Sequence, residues 1–136
     1  MKNPEKAEIK KILEHAKTIA VVGLSDKSYR TSHQIAEAMQ ASGYKIIPVN
    51  PYLDEVLGEK AVAKLSDITT HVDIINVFRR SELLPEIAEE ALKIEAPVFW
   101  SQLGVANEDA YEMLSKAGKT VIMDRCIKVE HGAMIE

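Results

Sequence analysis

One cysteine, one tryptophan, two phenylalanines and no long apolar run set the first limits on this 136-residue chain. A single thiol, Cys126, excludes an intrachain disulfide and suits a reducing compartment. No apolar stretch approaches the roughly 20 residues of a membrane-spanning helix, and no basic start leads into a secretory leader. Both absences make the cytoplasm the expected location and a membrane partner unexpected. Positive charge is not in excess either, since 17 Lys plus Arg stand against 21 Asp plus Glu for a net charge of -4. That balance excludes the broad basic face of a protein that grips nucleic acid and leaves room for a local cationic pocket. Repeats, linkers and low-complexity tracts are missing, so residues 1–136 are expected to form one domain.

What is present is an alternation of two periodicities. Asn3, Pro4 and Glu5 read as a helix start, and Ile9, Ile12, Leu13 and Ala16 recur at helical spacing. They predict a first helix over about residues 4–16, packed across a sheet. Thr18–Val22 reads as a buried strand, residues 32–41 as an amphipathic helix stopped by Gly43, and Lys45–Val49 as a second strand. Between Pro51 and Thr70 the pattern is poor, with a turn at Gly58, a short strand over 60–63 and a helical turn at Ser66 to Ile68. Residues 72–78 form a near-continuous apolar run, as in a strand covered on both faces. Ser81 is expected to cap the next helix, with Pro85 in its first turn and Leu84, Ala88 and Leu92 on one face. A fourth strand over 97–100, a helix from Asn107 to Gly118 and a fifth strand over 120–123 complete the order. The fold class that follows is α/β: a doubly wound, Rossmann-like domain with a mostly parallel five-stranded sheet flanked by helices.

Ligands of such sheets lie beyond the carboxyl ends of the strands, where the strand order reverses. There Gly23 ends the first strand, followed by the hydroxyls of Ser25, Ser28, Thr31 and Ser32 and the cations Lys27 and Arg30. Backbone N–H groups at a helix start receive phosphate, so a phosphate-bearing ligand is expected. NAD is not, because it calls for G-x-G-x-x-G and an acidic residue ending the second strand. The chain offers Gly23-Leu24-Ser25 and then Asn50-Pro51. Arg79 and Arg80 close the third strand at the same edge, where guanidinium suits phosphate; the alternative is a solvated pair or ion pairs to Glu82 and Glu86. Tyr29 stays open between packing on a ligand and packing on its own loop. Trp100 is expected in the core and Cys126 buried beside Val121, Ile122 and Ile127, with Asp124 and Arg125 as an ion pair anchoring the C-terminal segment. His33 is expected to cap or be solvated. None of His33, His71 and His131 has metal-ligand spacing, and no catalytic constellation emerges.

Five segments carry a family resemblance: VVGLSDKSYRTSH from Val21, PVNP from Pro48, VDIINVFRR from Val72, VFWSQLGVANEDA from Val98 and VIMDRCIKVEH from Val121. Together they resemble the small stand-alone CoA-binding proteins, whose domain is similar to the N-terminal domain of the succinyl-CoA synthetase alpha subunit. The resemblance implies coenzyme A or an acyl-CoA as the ligand. It places the phosphates at Gly23, Leu24, Ser25, Lys27 and their neighbours, and the adenosine between Asn50-Pro51 and Phe78-Arg79. Ser101 and Gln102 then lie near the pantetheine. The synthetase's histidine-bearing second domain has no counterpart here, so ligase activity does not carry over. A binding module is the leading expectation. An acyl-CoA-dependent enzyme, a redox-linked CoA carrier using Cys126 and an interaction subunit without ligand stay open, as do a homo-oligomer and a protein partner.

Overall fold

Valine and isoleucine dominate five short strands, and in the computed structural model, which describes residues 1–135, these align into one parallel sheet. In chain order the elements are α1 (Lys6–His15), β1 (Thr18–Val22), α2 (Thr31–Ala41) and β2 (Lys45–Val49), then a hairpin of β3 (Glu55–Val56) and β4 (Glu59–Lys60). A single helical turn at Leu65–Asp67 leads to β5 (Ile74–Val77), a second at Ser81–Leu83 runs into α3 (Leu84–Ala91), and β6 (Val98–Ser101), α4 (Glu108–Lys116), β7 (Thr120–Ile122) and α5 (Ile127–Met134) follow. The spatial order is β2-β1-β5-β6-β7. From β1 the chain steps outward to β2 and then returns to the opposite side of β1, so the order reverses between β1 and β5. That is where a crevice opens at the carboxyl edge.

Alternation along the strands builds two apolar layers. Ile19 and Val21 of β1 point to the face where Ile9 and Leu13 of α1, Ile35 and Met39 of α2 and Ile127 of α5 pack. Ala20 and Val22 point to the other face, against Leu84 and Ala88 of α3 and Ala110 and Leu114 of α4. Each fully buried Leu, Ile or Val stabilises the fold by about 1.5–3 kcal/mol. Trp100 is completely buried, as expected, and its indole N–H donates to the Arg125 carbonyl at 2.8 Å. Among the described residues no helix is long and apolar enough to cross a membrane.

The structure corrects the reading at several places. Asn3 does not cap α1: its side-chain amide donates to the Met123 carbonyl and accepts from the Met123 N–H, both at 2.8 Å, behaving like a one-residue strand beside β7. Ser81 caps nothing; its hydroxyl accepts from the Ala106 N–H at 3.0 Å and ties the α3 entry to the β6–α4 loop. Helix α5 was not expected at all, because Ile127 is its one buried residue and Gly132 interrupts any apolar stripe. Of the stretch expected as a strand at 60–63, Lys60 ends the second arm of a hairpin that turns at Leu57 and Gly58, both at positive φ, and Val62 forms an isolated parallel bridge to Val49.

Candidate functional site

A cavity of about 1190 Å3 opens at the carboxyl edge of the sheet, above the β1/β5 crevice. Its floor is set by Gly23, which has φ +85 and whose N–H donates to the Val49 carbonyl at 3.0 Å. A Cβ on Gly23 would lie 2.7 Å from the Phe78 carbonyl oxygen and 2.8 Å from Cδ of Arg79. Glycine is therefore demanded here by the close approach of the chain leaving β5 as well as by its backbone angle.

The loop from β1 to α2 is folded onto itself by its own hydroxyls. The Ser25 N–H donates to the Ser32 hydroxyl at 3.0 Å, the Lys27 N–H to the Ser25 hydroxyl at 3.0 Å, and Nδ1 of His33 meets the Ser25 carbonyl at 2.9 Å. Helix α2 then begins at Thr31 with Arg30 as its N-cap residue, with no side-chain cap and no acidic residue in its first turn. Thr31 and Ser32 border the cavity, so the positive end of the helix dipole faces the open space. Lys27, Arg30, Arg79 and Arg80 surround the same space, and among the described residues none of the four makes an ion pair. Asp26 and Glu82 are the acidic residues on its wall.

Asn50, at the end of β2, is fully committed to this loop. Its side-chain N–H donates to the Leu24 carbonyl at 3.0 Å and its carbonyl accepts from the Tyr52 N–H at 2.9 Å. At the far end, Gln102 is held by Asn76, which donates to its carbonyl at 3.1 Å, while the Ile127 N–H donates to the same oxygen at 3.1 Å. Gln102 and half-buried Cys126, the N-cap residue of α5, close that end of the cavity.

Of the residues read from the sequence as the site, Gly23, Ser25, Lys27, Tyr29, Arg30, Asn50, Pro51, Phe78, Arg79, Arg80 and Gln102 all border this one cavity. Leu24 and Ser101 do not. Both are fully buried; Leu24 packs into the core, and the Ser101 hydroxyl donates to the Val105 carbonyl at 2.6 Å. Cys126, expected to be buried, is half-buried: it packs against the core cluster of Ile122 and Ile127 and also borders the cavity, two residues after the turn at Asp124, with φ +60. Asp124 and Arg125 make no side-chain pair: the Asp124 carboxylate accepts from the Gly104 N–H at 2.6 Å, and Arg125 faces Glu130 at 3.6 Å. Tyr52, Leu53, Leu103 and Gly104 also border the cavity and were not singled out, though the edge rule pointed to their loops. Among the described residues no cluster of three or more His, Cys, Asp or Glu side chains is disposed to hold a metal ion. A smaller cavity of about 520 Å3 lies on the α3 side, walled by Val22, Val49, Leu65, Leu83 and Ile87, and meets the first at Pro51 and Arg79.

Comparison with known proteins agrees with this architecture. An uncharacterized protein of Bacillus subtilis, YneT, is 63% identical over 131 residues, which are 96% of this chain and 97% of that one. The solved structure of a Thermus thermophilus protein, cell-free ID.343, superposes with a TM-score of 0.93 at 35% identity, covering 97% of this chain and all of that one at 100%. An ADP-forming acetate–CoA ligase of Methanocaldococcus jannaschii is 25% identical over 83 residues, 61% of this chain but 12% of the ligase. The family model of the CoA binding domain matches residues 17–132. With that match spanning the glycine loop, the cation-lined edge and the Cys126 turn, the chain belongs to the CoA-binding domain family.

Proposed function

We propose that this protein binds coenzyme A or an acyl-CoA as a stand-alone module. The observation that carries the reading is the union of a helix start without a side-chain cap and four cations that make no ion pair among the described residues, around one cavity, in a chain of this family. Anions gain from both the dipole and the guanidinium groups, and a ligand with several phosphates uses them together. The cavity exceeds the roughly 300–1,000 Å3 common for small-molecule sites, which suits a long ligand. NAD is disfavoured for a structural reason: the side chain ending β2 is an amide already bonded on both sides, so no carboxylate is there to take ribose hydroxyls. Catalytic chemistry is not part of the proposal. Among the hydroxyls that border the cavity, those of Ser25, Ser32 and Ser81 accept backbone N–H bonds from Lys27, Ser25 and Ala106.

One observation favours a second reading. Cys126 borders the cavity, so a CoA thiol laid along it could be joined to the protein. Two thiols and one peroxide molecule would give a mixed disulfide and two waters, the oxidant taking both electrons and both protons.

Titration calorimetry under reducing conditions with CoA, acetyl-CoA, NAD and ADP tests the main proposal. CoA or acetyl-CoA is expected to bind more tightly than NAD or ADP. Tighter binding of NAD, or no binding of either CoA or acetyl-CoA, overturns it.

A further inference from the structure

Two side-chain amides are buried among the described residues, those of Asn76 at 2% exposed and Gln102 at 6%. Asn76 uses its nitrogen fully, donating to the Trp100 carbonyl at 3.3 Å and to the Gln102 side-chain oxygen at 3.1 Å. That oxygen also accepts from the Ile127 N–H at 3.1 Å. A backbone carbonyl anchors this chain of bonds at one end and a backbone N–H at the other, so neither amide can turn over without setting donor against donor. Nε2 of Gln102 is thereby directed away from Asn76 and Ile127, and among the described residues it has no hydrogen-bond partner. No side-chain nitrogen or oxygen described is both buried and unpaired, so Nε2 reaches open space, and the space that Gln102 borders is the cavity. A fixed amide with two free N–H groups in a cavity wall calls for an acceptor.

The chain's single thiol stands beside that donor. Both neighbours of Cys126 are tied to the end of β6, the Arg125 N–H to the Ser101 carbonyl at 3.4 Å and the Ile127 N–H to the Gln102 oxygen. Cys126 is half-buried and borders the same cavity. Acyl transfer needs these two parts together: a nucleophile for the carbonyl carbon, and a preorganised donor for the oxygen as it gains charge. Resting on the CoA reading above, we infer that Cys126 accepts the acyl group of an acyl-CoA while Gln102 donates to the thioester carbonyl oxygen. A bond forms between Sγ of Cys126 and the carbonyl carbon, and the bond from that carbon to the CoA sulfur breaks. The proton leaving Cys126 ends, by way of solvent, on the released CoA thiol. One thioester is broken as another is made, so no oxidant takes part and the step runs in both directions. The protein is then an acyl carrier, holding the group on Cys126 until another thiol takes it.

The test incubates wild type, Cys126→Ala and Gln102→Glu with saturating acetyl-CoA under a phosphine reductant and follows intact mass with time. Gln102→Glu keeps an oxygen for Asn76 and the Ile127 N–H but replaces the free amide nitrogen, and a thermal melt checks that it folds. Wild type is expected to gain an acetyl-sized mass that neutral hydroxylamine removes, and Cys126→Ala to gain none. Gln102→Glu should gain it about a hundred- to a thousand-fold more slowly, as for loss of one oxyanion donor. The acetyl thioester of N-acetylcysteamine, which has no nucleotide, should acylate wild type far more slowly than acetyl-CoA does. No adduct on a wild type that binds acetyl-CoA in calorimetry overturns the inference and leaves the CoA reading standing, whereas failure to bind either CoA or acetyl-CoA refutes both. The inference also falls if the adduct persists in Cys126→Ala, if both thioesters react equally fast, or if a folded Gln102→Glu keeps the wild-type rate. Should Gln102→Glu not fold, the comparison of the two thioesters decides.

Discussion

Replacing Gly23 by alanine tests whether the floor of the cavity is set by packing or by backbone angle alone. Two costs add at this position. An L-residue in the left-handed region costs about 1–2 kcal/mol. The new methyl also meets the Phe78 carbonyl oxygen at 2.7 Å and Cδ of Arg79 at 2.8 Å, and overpacking of this kind adds about 1–3 kcal/mol. The arginine can swing aside, but the Phe78 backbone is held in the β1/β5 ladder, its N–H donating to the Val22 carbonyl at 2.9 Å. Gly118 separates the two terms, because it has nearly the same φ, +87 against +85, and nothing within 4 Å of a built Cβ. Gly118→Ala should therefore lose the backbone term only, and Gly23→Ala both. Out of a typical total stability of about 5–15 kcal/mol, the difference of about 1–3 kcal/mol is readily measured as a shift in urea midpoint at constant slope. Because relief of the clash displaces Arg79, Gly23→Ala should also bind CoA less tightly than Gly118→Ala does. Equal destabilisation by the two substitutions would refute the claim that the chain leaving β5 requires a glycine here.

Three further outcomes are expected. Removing a charge from the cavity, by Lys27→Ala or Arg79→Ala, should weaken CoA about ten- to a hundred-fold while leaving the melt intact, since a hydrogen bond to a charged group contributes about 1.5–3 kcal/mol; wild-type affinity in both would place the phosphates elsewhere. Burial alone would raise the Asp73 pKa, but bonds from the Lys17 and Thr18 N–H groups and the His71 ring outweigh it and hold the carboxyl below its ordinary value. The stability this adds is complete above the unfolded pKa and is lost as pH falls through the folded one. Asp73→Asn should accordingly be less stable than wild type at neutral pH with the gap closing in acid, and a pH-independent gap in denaturant midpoint would contradict the argument. For the redox reading, wild type saturated with CoA and treated with dilute peroxide should gain a CoA-sized mass that a reductant removes, and Cys126→Ser should not; no adduct on wild type would eliminate that reading.

Much of the site was legible because its signals are local. Gly23 at a strand end, the hydroxyls and cations after it and the missing acidic residue at Asn50 are all visible within a few positions of a strand whose apolar run is plain. Leu24 and Ser101, which the family resemblance places at the site, do not border the cavity. Ser101 alternates with Trp100, so its side chain turns into the sheet and bonds to Val105, while Leu24 fills the core below the loop it belongs to. Tyr52 went unnoticed for the opposite reason: nothing in an Asn-Pro-Tyr sequence says that the tyrosine stays in water until the partners of Asn50 are known.

The sequence by itself determined the α/β class, the succession of the five sheet strands and the first four helices, and the edge of the sheet at which the glycine loop and the cations gather. These depend on side-chain periods of two and of 3.6 and on a glycine placed where a strand stops, all of which are properties of neighbouring residues. Only the tertiary structure decided which loops share one cavity, that Cys126 opens onto it, that Arg79 lies against Gly23, and that Asn3 completes the edge of β7 from 120 residues away. Those contacts follow from strand order, and strand order is a global outcome of burying both faces of one sheet. No local period encodes it.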